Sequence, residues 1–162
     1  ALGHALSGAC MVARNFSAED FARSNPAGAL GRRLLLTVCY VMRKGEAVPA
    51  VAPDTPALDA LQVLSAKRLG SFVVVDGDNR PVGIFTEGDL CRRLREGGDF
   101  LAARAADVMH LNPKSVGADE PAYAGLNKMH ALQVNQLVVT GADGRLAGIV
   151  HIQDMVARKI VA

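Results

Sequence analysis

Apolar residues fall along this chain in short blocks with two different spacings. Leu58, Leu61 and Leu64 recur at helical intervals, as do Leu126 and Met129. Phe72-Val73-Val74-Val75 and Leu137-Val138-Val139-Thr140 are instead unbroken runs of buried-strand length. Each run ends in turn chemistry, Asp76-Gly77-Asp78-Asn79 or Gly141-Ala142-Asp143-Gly144, followed by a return strand, Val82 to Phe85 or Leu146 to Val150. Short extended pieces, Val48 to Val51 and Ser115 to Val116, precede the helices, and closing helices begin near Thr86 and His151. Thr55 can cap the first helix with Pro56 at its first position, and Asp119 or Glu120 before Pro121 does likewise. The predicted order is β-α-β-β-α, twice.

The doubling is also visible residue by residue. A shift of 65 sets Pro56-Ala57 on Pro121-Ala122, Leu61 on Leu126, Val73-Val74 on Val138-Val139, Gly83-Ile84 on Gly148-Ile149 and Asp89 on Asp154. Val41-Met42 recurs as Val108-Met109 at a shift of 67, so the first connection differs by two residues. The chain divides into a leading segment (1–37), a first repeat (38–96), and a linker around Gly97-Gly98 with a second repeat (97–162). The leading segment reads as three short helices: Leu2 to Arg14, one begun by the Ser17-Ala18-Glu19-Asp20 capping box, and Ala29 to Leu36. Without strands they make no core of their own, so they are expected to pack on the repeats or on another chain.

Composition narrows the classes. Of 162 residues 50% are apolar and 21% charged, enough to build a core and too apolar for a disordered chain. A net charge of +2, no Trp and two Tyr argue against a nucleic-acid binder working by phosphate neutralisation or base stacking. Apolar runs are strand-sized, well short of the ~20 residues that span a bilayer. Cys10, Cys39 and Cys91 form an odd set without CxxC, which favours a reducing compartment, and Cys91 reads as a small buried or half-buried group. The four histidines share no metal-ligand spacing, so no metal is expected. The first residues lack the basic start and apolar block of a signal peptide, and there is no initiator Met. The expectation is a fragment of a longer cytoplasmic protein.

The doubled pattern, above all Gly83-Ile84-Phe85-Thr86-Glu87-Gly88-Asp89-Leu90 with its weaker copy Gly148-Ile149-Val150-His151-Ile152-Gln153-Asp154-Met155, resembles a CBS pair, or Bateman module. This implies an α/β fold of tandem CBS repeats with pseudo-two-fold symmetry. The leading segment, from Gly3-His4-Ala5-Leu6 through Ser24-Asn25-Pro26-Ala27-Gly28, is similar to the end of a sugar-isomerase (SIS) domain, as in KpsF/GutQ-type D-arabinose-5-phosphate isomerases. Those enzymes interconvert ribulose 5-phosphate and arabinose 5-phosphate, the first step towards Kdo for lipopolysaccharide. The resemblance implies that this chain is a regulatory tail that is not catalytic alone. It departs from the family at two positions: Asn25 stands where the family has a His thought to serve the isomerase site, and Tyr40 where it usually has Asp. An amide cannot shuttle a proton as imidazole does, so no intact catalytic residue is expected.

In CBS pairs a Thr/Ser-x-x-Asp element builds a nucleotide site, and Thr86 and Asp89 match it. A carboxylate can accept from both hydroxyls of a ribose, and a hydroxyl at a helix start can donate to phosphate. Gly83 and Gly148 would let the backbone approach a ligand, Arg92 would supply countercharge, and Val51 and Val116 would wall the base. The same Thr86–Asp89 spacing is equally that of a helix capping box. In the second repeat Asp154 is kept, but His151 is a poor cap, so a ring near a phosphate or base is one reading and a plain strand-end histidine the other. The expected ligand is a regulatory nucleotide, AMP- or ATP-like or the nucleotide sugar CMP-Kdo, with no cofactor. Expected partners are the chain's own SIS domain and further copies in a homodimer or tetramer. The alternative is a dimerisation module with no bound ligand.

Overall fold

A computed structural model describes residue 31 and residues 34–160; the leading helices and Asn25 lie outside the described residues, except that Gly31, Leu34 and Leu35 are helical. The first repeat comprises a one-turn helix α1 (Val38–Val41), a 3₁₀ turn, β1 (Ala50–Val51), α2 (Ala57–Lys67), the hairpin β2 (Ser71–Val75) and β3 (Pro81–Thr86), and α3 (Glu87–Glu96). The second repeats the plan with α4 (Ala105–Val108), β4 (His110–Leu111), β5 (Ser115–Gly117), α5 (Ala122–Leu132), β6 (Gln136–Thr140), β7 (Leu146–His151) and α6 (Ile152–Ala157). In each repeat a strand pairs in parallel with the first hairpin strand, β1 with β2 and β5 with β6, and the hairpin itself is antiparallel. The predicted order is present, with a short helix at the start of each repeat and, in the second, the short strand β4 before β5.

The repeats exchange their beginnings. β4 belongs to the second repeat yet pairs with β3 of the first, placing His110 opposite Ile84. Arg43, its counterpart in the first repeat, bridges Ile149 of β7. The one-turn helices cross in the same way. Val38 and Val41 are buried among Val116, Ala122, Met129 and Val150, while Ala105 and Val108 are buried among Ala57, Leu64, Phe72 and Phe85. A third cluster, Val48, Leu69, Val73, Val138 and Ile149, joins the two sheets back to back.

This crossing explains how α2 and α5 begin. Pro56 and Pro121 occupy the cap position rather than the first helical one, and neither helix has a side-chain cap. The first helical N–H groups are met by the crossing segments instead, Ala57 donating to the Ala103 carbonyl at 2.9 Å and Ala122 to the Leu36 carbonyl at 2.7 Å. Glu120 turns back to accept from the Gly117 N–H. The buried stripe of α2 is Ala57, Ala60 and Leu64, leaving Leu58 facing out at 45% exposure. Small residues there allow α2 to lie close to its sheet. Cys91 is exposed, contrary to expectation, because it sits on the outer side of α3.

Gly83 and Gly148 are needed for this packing. A side chain on Gly83 would overlap the Met109 thioether, and one on Gly148 would overlap the Arg43 carbonyl and Met42. Each glycine therefore admits the other repeat's first segment. Gly148→Ala is expected to cost about 1–3 kcal/mol, since the Arg43 carbonyl must move, and Gly83→Ala less, since the tightest contacts there are with the flexible end of the Met109 side chain, though its Cβ must also shift. Urea unfolding of the two variants should rank them in that order.

Candidate functional site

Between the repeats lies a cleft of about 440 Å³. It runs across the pseudo-two-fold axis, so matched positions face it from both sides: Leu69 with Val134, Gly70 with Asn135, and Thr86 with His151. Ile84, Glu87, Gly88, Gln136 and Lys114 complete the lining. Near the axis the Ser71 hydroxyl donates to the Gln136 side-chain oxygen at 2.9 Å, tying the matched first residues of β2 and β6 together.

The two motif aspartates are already engaged. Asp89 is 6% exposed. One carboxylate oxygen accepts from the Thr86 N–H at 2.9 Å and the Thr86 hydroxyl at 2.8 Å, while the Asp89 N–H donates to that hydroxyl at 3.3 Å. This is a closed capping box for α3. The other carboxylate oxygen meets His110 Nε2 at 2.8 Å and Arg92 at 3.2 Å. Burial alone would raise the Asp89 carboxyl, but the bonds from the Thr86 backbone and hydroxyl and from His110 outweigh it and hold it below the ordinary carboxylate value. Asp154 takes a forked contact from Arg43, with Nε at 3.0 Å from one oxygen and Nη2 at 3.0 Å from the other. Arg43 and His110 are equivalent under the 67-residue shift, so each motif aspartate is held by the first segment of the other repeat.

His151 has a structural explanation of its own. Its Nδ1 accepts from the Gln153 N–H at 3.1 Å, so the ring itself caps α6. The expectation that His151 is a poor cap is therefore corrected. Burial pushes the His151 ring below its ordinary value; the charge of Asp154 works against this and that of Arg43 adds to it.

The predicted residues thus separate. Thr86 and His151 face the cleft together, but the Thr86 hydroxyl is committed to Asp89. Asp89 and Arg92 open instead on a second cavity of about 370 Å³ with Arg93 and His110, so Arg92 does not stand beside Thr86 in the cleft. Val51 and Val116 are 7% and 2% exposed and lie inside the two repeat cores, where neither walls the cleft. Gly83 and Gly148 pack as described above. The residues not anticipated are Arg43 and His110, which seize the aspartates, and Lys114, Asn135, Gln136 and Glu87, which line the cleft. Arg43 and His110 were visible as the residues following Val41-Met42 and Val108-Met109; nothing local marks the others. Among the described residues no group of three or more His, Cys, Asp or Glu gathers to hold a metal, and no helix is long and apolar enough to cross a membrane.

A crossed pair of α/β repeats closing on a shared cleft defines the class, and residues 38–96 and 105–160 match the CBS domain family; the chain belongs to it. Its relatives are more particular. Over 160 residues it is 41% identical to arabinose 5-phosphate isomerase KdsD of Yersinia pestis, covering 99% of this chain and 48% of that one. It is 38% identical over 160 residues to arabinose 5-phosphate isomerase GutQ of Salmonella typhimurium, covering 99% of this chain and 50% of the relative. The chain therefore spans about half the length of these curated relatives. Among solved structures, CBSX2 in complex with AMP is similar at 25% identity and a TM-score of 0.67, covering 75% of this chain and 94% of that one.

The cap on α6 carries a pH signature. With its folded value lowered, His151 contributes stability that is present above its ordinary value of 6.5 and is lost as pH falls through the folded value. Protonating Nδ1 would also remove the acceptor of the cap. His151→Thr, which supplies the cap found in the first repeat, is expected to narrow the fall in Tm between about pH 7.5 and pH 5.5. Thermal melts of both chains across that range test it.

Proposed function

We propose that this chain is the regulatory CBS pair of an arabinose 5-phosphate isomerase, with residues 1–37 forming the end of its sugar-isomerase domain. In this reading it acts in the cytoplasm as part of a homodimer or tetramer. The ligand is a nucleotide, AMP- or ATP-like, or the nucleotide sugar CMP-Kdo, and it occupies the cleft between the repeats. The observation that carries the reading is that cleft. Its volume of about 440 Å³ suits a small molecule, and it combines apolar walls, Leu69, Ile84 and Val134, with a few polar groups. AMP in the CBSX2 complex supports the ligand class.

Both repeats line the cleft, so a ligand there touches both and favours whichever arrangement of the two it fits. It shifts the attached enzyme only by its difference in affinity between arrangements. The Ser71–Gln136 bond is the contact such a ligand would compete with. Thr86 and His151 are proposed as direct contacts, while Asp89 and Asp154 act through the residues they hold. A second reading, an assembly module with an empty cleft, draws on the fact that both motif aspartates are satisfied within the chain.

Calorimetric titration with AMP, ADP, ATP, CMP and CMP-Kdo separates the two. Regulation predicts micromolar binding of one compound, weakened at least about tenfold by Asn135→Trp, which fills the cleft from an exposed position. Asp89→Ala is a poorer test, since it strips Thr86 and His110 of their partner. No heat from any of the five compounds, with the chain folded and dimeric, would favour assembly.

A further inference from the structure

The cleft is symmetric in backbone and asymmetric in charge. In the first-repeat half Gly70 contributes no side chain, and the space above it belongs to Glu87. The Glu87 Oε2 lies 3.3 Å from where a Gly70 Cβ would stand, and the Glu87 N–H donates to the Gly70 carbonyl at 2.9 Å. The Thr86 hydroxyl beside it already donates to Asp89 at 2.8 Å. What this half offers is a carboxylate. In the second-repeat half the matched positions carry Asn135 in place of Gly70, His151 in place of Thr86, and apolar Ile152 in place of Glu87. Lys114 enters the cleft as well, and it matches Pro49 under the 65-residue shift, as the equivalent bonds Val138 N–H to the Lys114 carbonyl and Val73 N–H to the Pro49 carbonyl show. Among the described residues no carboxylate pairs with Lys114. Because His151 Nδ1 accepts the Gln153 N–H, the neutral ring keeps its proton on Nε2 as a donor.

We propose that the cleft binds one anionic ligand per chain in a single orientation, its phosphate or carboxylate on Lys114, Asn135 and His151, with Glu87 excluding a second anion from the other half. The proposal rests on the cleft being the ligand site, and it sets the ligand's class and polarity. The ligand has one charged end and one neutral, hydroxyl-bearing end. The charged end takes the ammonium and the amide and imidazole donors, while the neutral end faces the Glu87 carboxylate, which accepts from hydroxyls and repels phosphate. Glu87 is the group that disfavours pseudo-symmetric occupation by two equal anions.

Amide shifts of the 15N-labelled 162-residue chain, read at constant ionic strength with sodium pyrophosphate and separately with AMP, test this directly. Pyrophosphate should move the amides of Lys114, Asn135 and His151 and leave those of Gly70 and Gly88 in place. Lys114→Gln should weaken both probes about tenfold. Glu87→Gln should bring Gly70 and Gly88 into the pyrophosphate response and raise its stoichiometry from one to two. A pyrophosphate response at Gly70 and Gly88 in the unaltered chain, silence with both probes, or indifference to Lys114→Gln would each overturn the proposal. A pyrophosphate response confined to the second half, with no nucleotide binding, would uphold it and remove the nucleotide reading. Nucleotide binding that Lys114→Gln leaves unchanged would do the reverse.

Discussion

Everything distinctive in this module depends on the reciprocal crossing of the first segments. Neither repeat can complete its core from its own residues: the first requires Ala105 and Val108, the second Val38 and Val41. Four apolar side chains buried in this way contribute several kcal/mol together, at roughly 25 cal/mol per Å² removed from water. The same crossing supplies the hydrogen bonds that start α2 and α5, demands glycine at 83 and 148, and closes one edge of each hairpin. A cleft exists because two units locked in this fashion still leave a seam along their shared axis.

The motif aspartates follow from the same constraint. A buried carboxylate such as Asp89 is costly unless several donors compensate it, and here the donors come from both repeats. The first-repeat aspartate meets an imidazole, the second a guanidinium that is always charged. Equivalent positions have diverged in chemistry while keeping one geometry. The cleft lining has diverged in the same manner, with Gly70 and Glu87 on one side and Asn135, His151 and Lys114 on the other.

Much of the fold was legible because its signals are local. Alternation, helical spacing and turn residues depend on neighbours a few positions away, and the 65-residue repeat exposed the architecture twice over. The crossing was not legible, because it pairs segments far apart in the chain and local pattern carries no trace of it. That is why Pro56 and Pro121 fall one place from where proline preference alone would set them, and why the two glycines were assigned to a ligand rather than to Met109 and Arg43. The candidate site suffered most. Thr86-x-x-Asp89 has one spacing and two uses, and only coordinates reveal that the hydroxyl and carboxylate are bonded to each other. His151 was puzzling as a cap because cap preferences are built on hydroxyls and carboxylates, although a ring nitrogen two residues upstream of an N–H reaches it equally well.

The crossing also sets an order of events during synthesis. As the chain emerges from its N-terminal side, the hairpin of β2 and β3 and the helix α3 are complete before Ala105 and Val108 exist, so the first repeat waits with an open core. The second repeat has Val38 and Val41 in hand from the start. The first half of the molecule is therefore finished by the second, and a nascent chain halted at the Gly97-Gly98 linker would leave the core around Phe72 and Phe85 without the part of its cover that Phe100, Ala105 and Val108 supply.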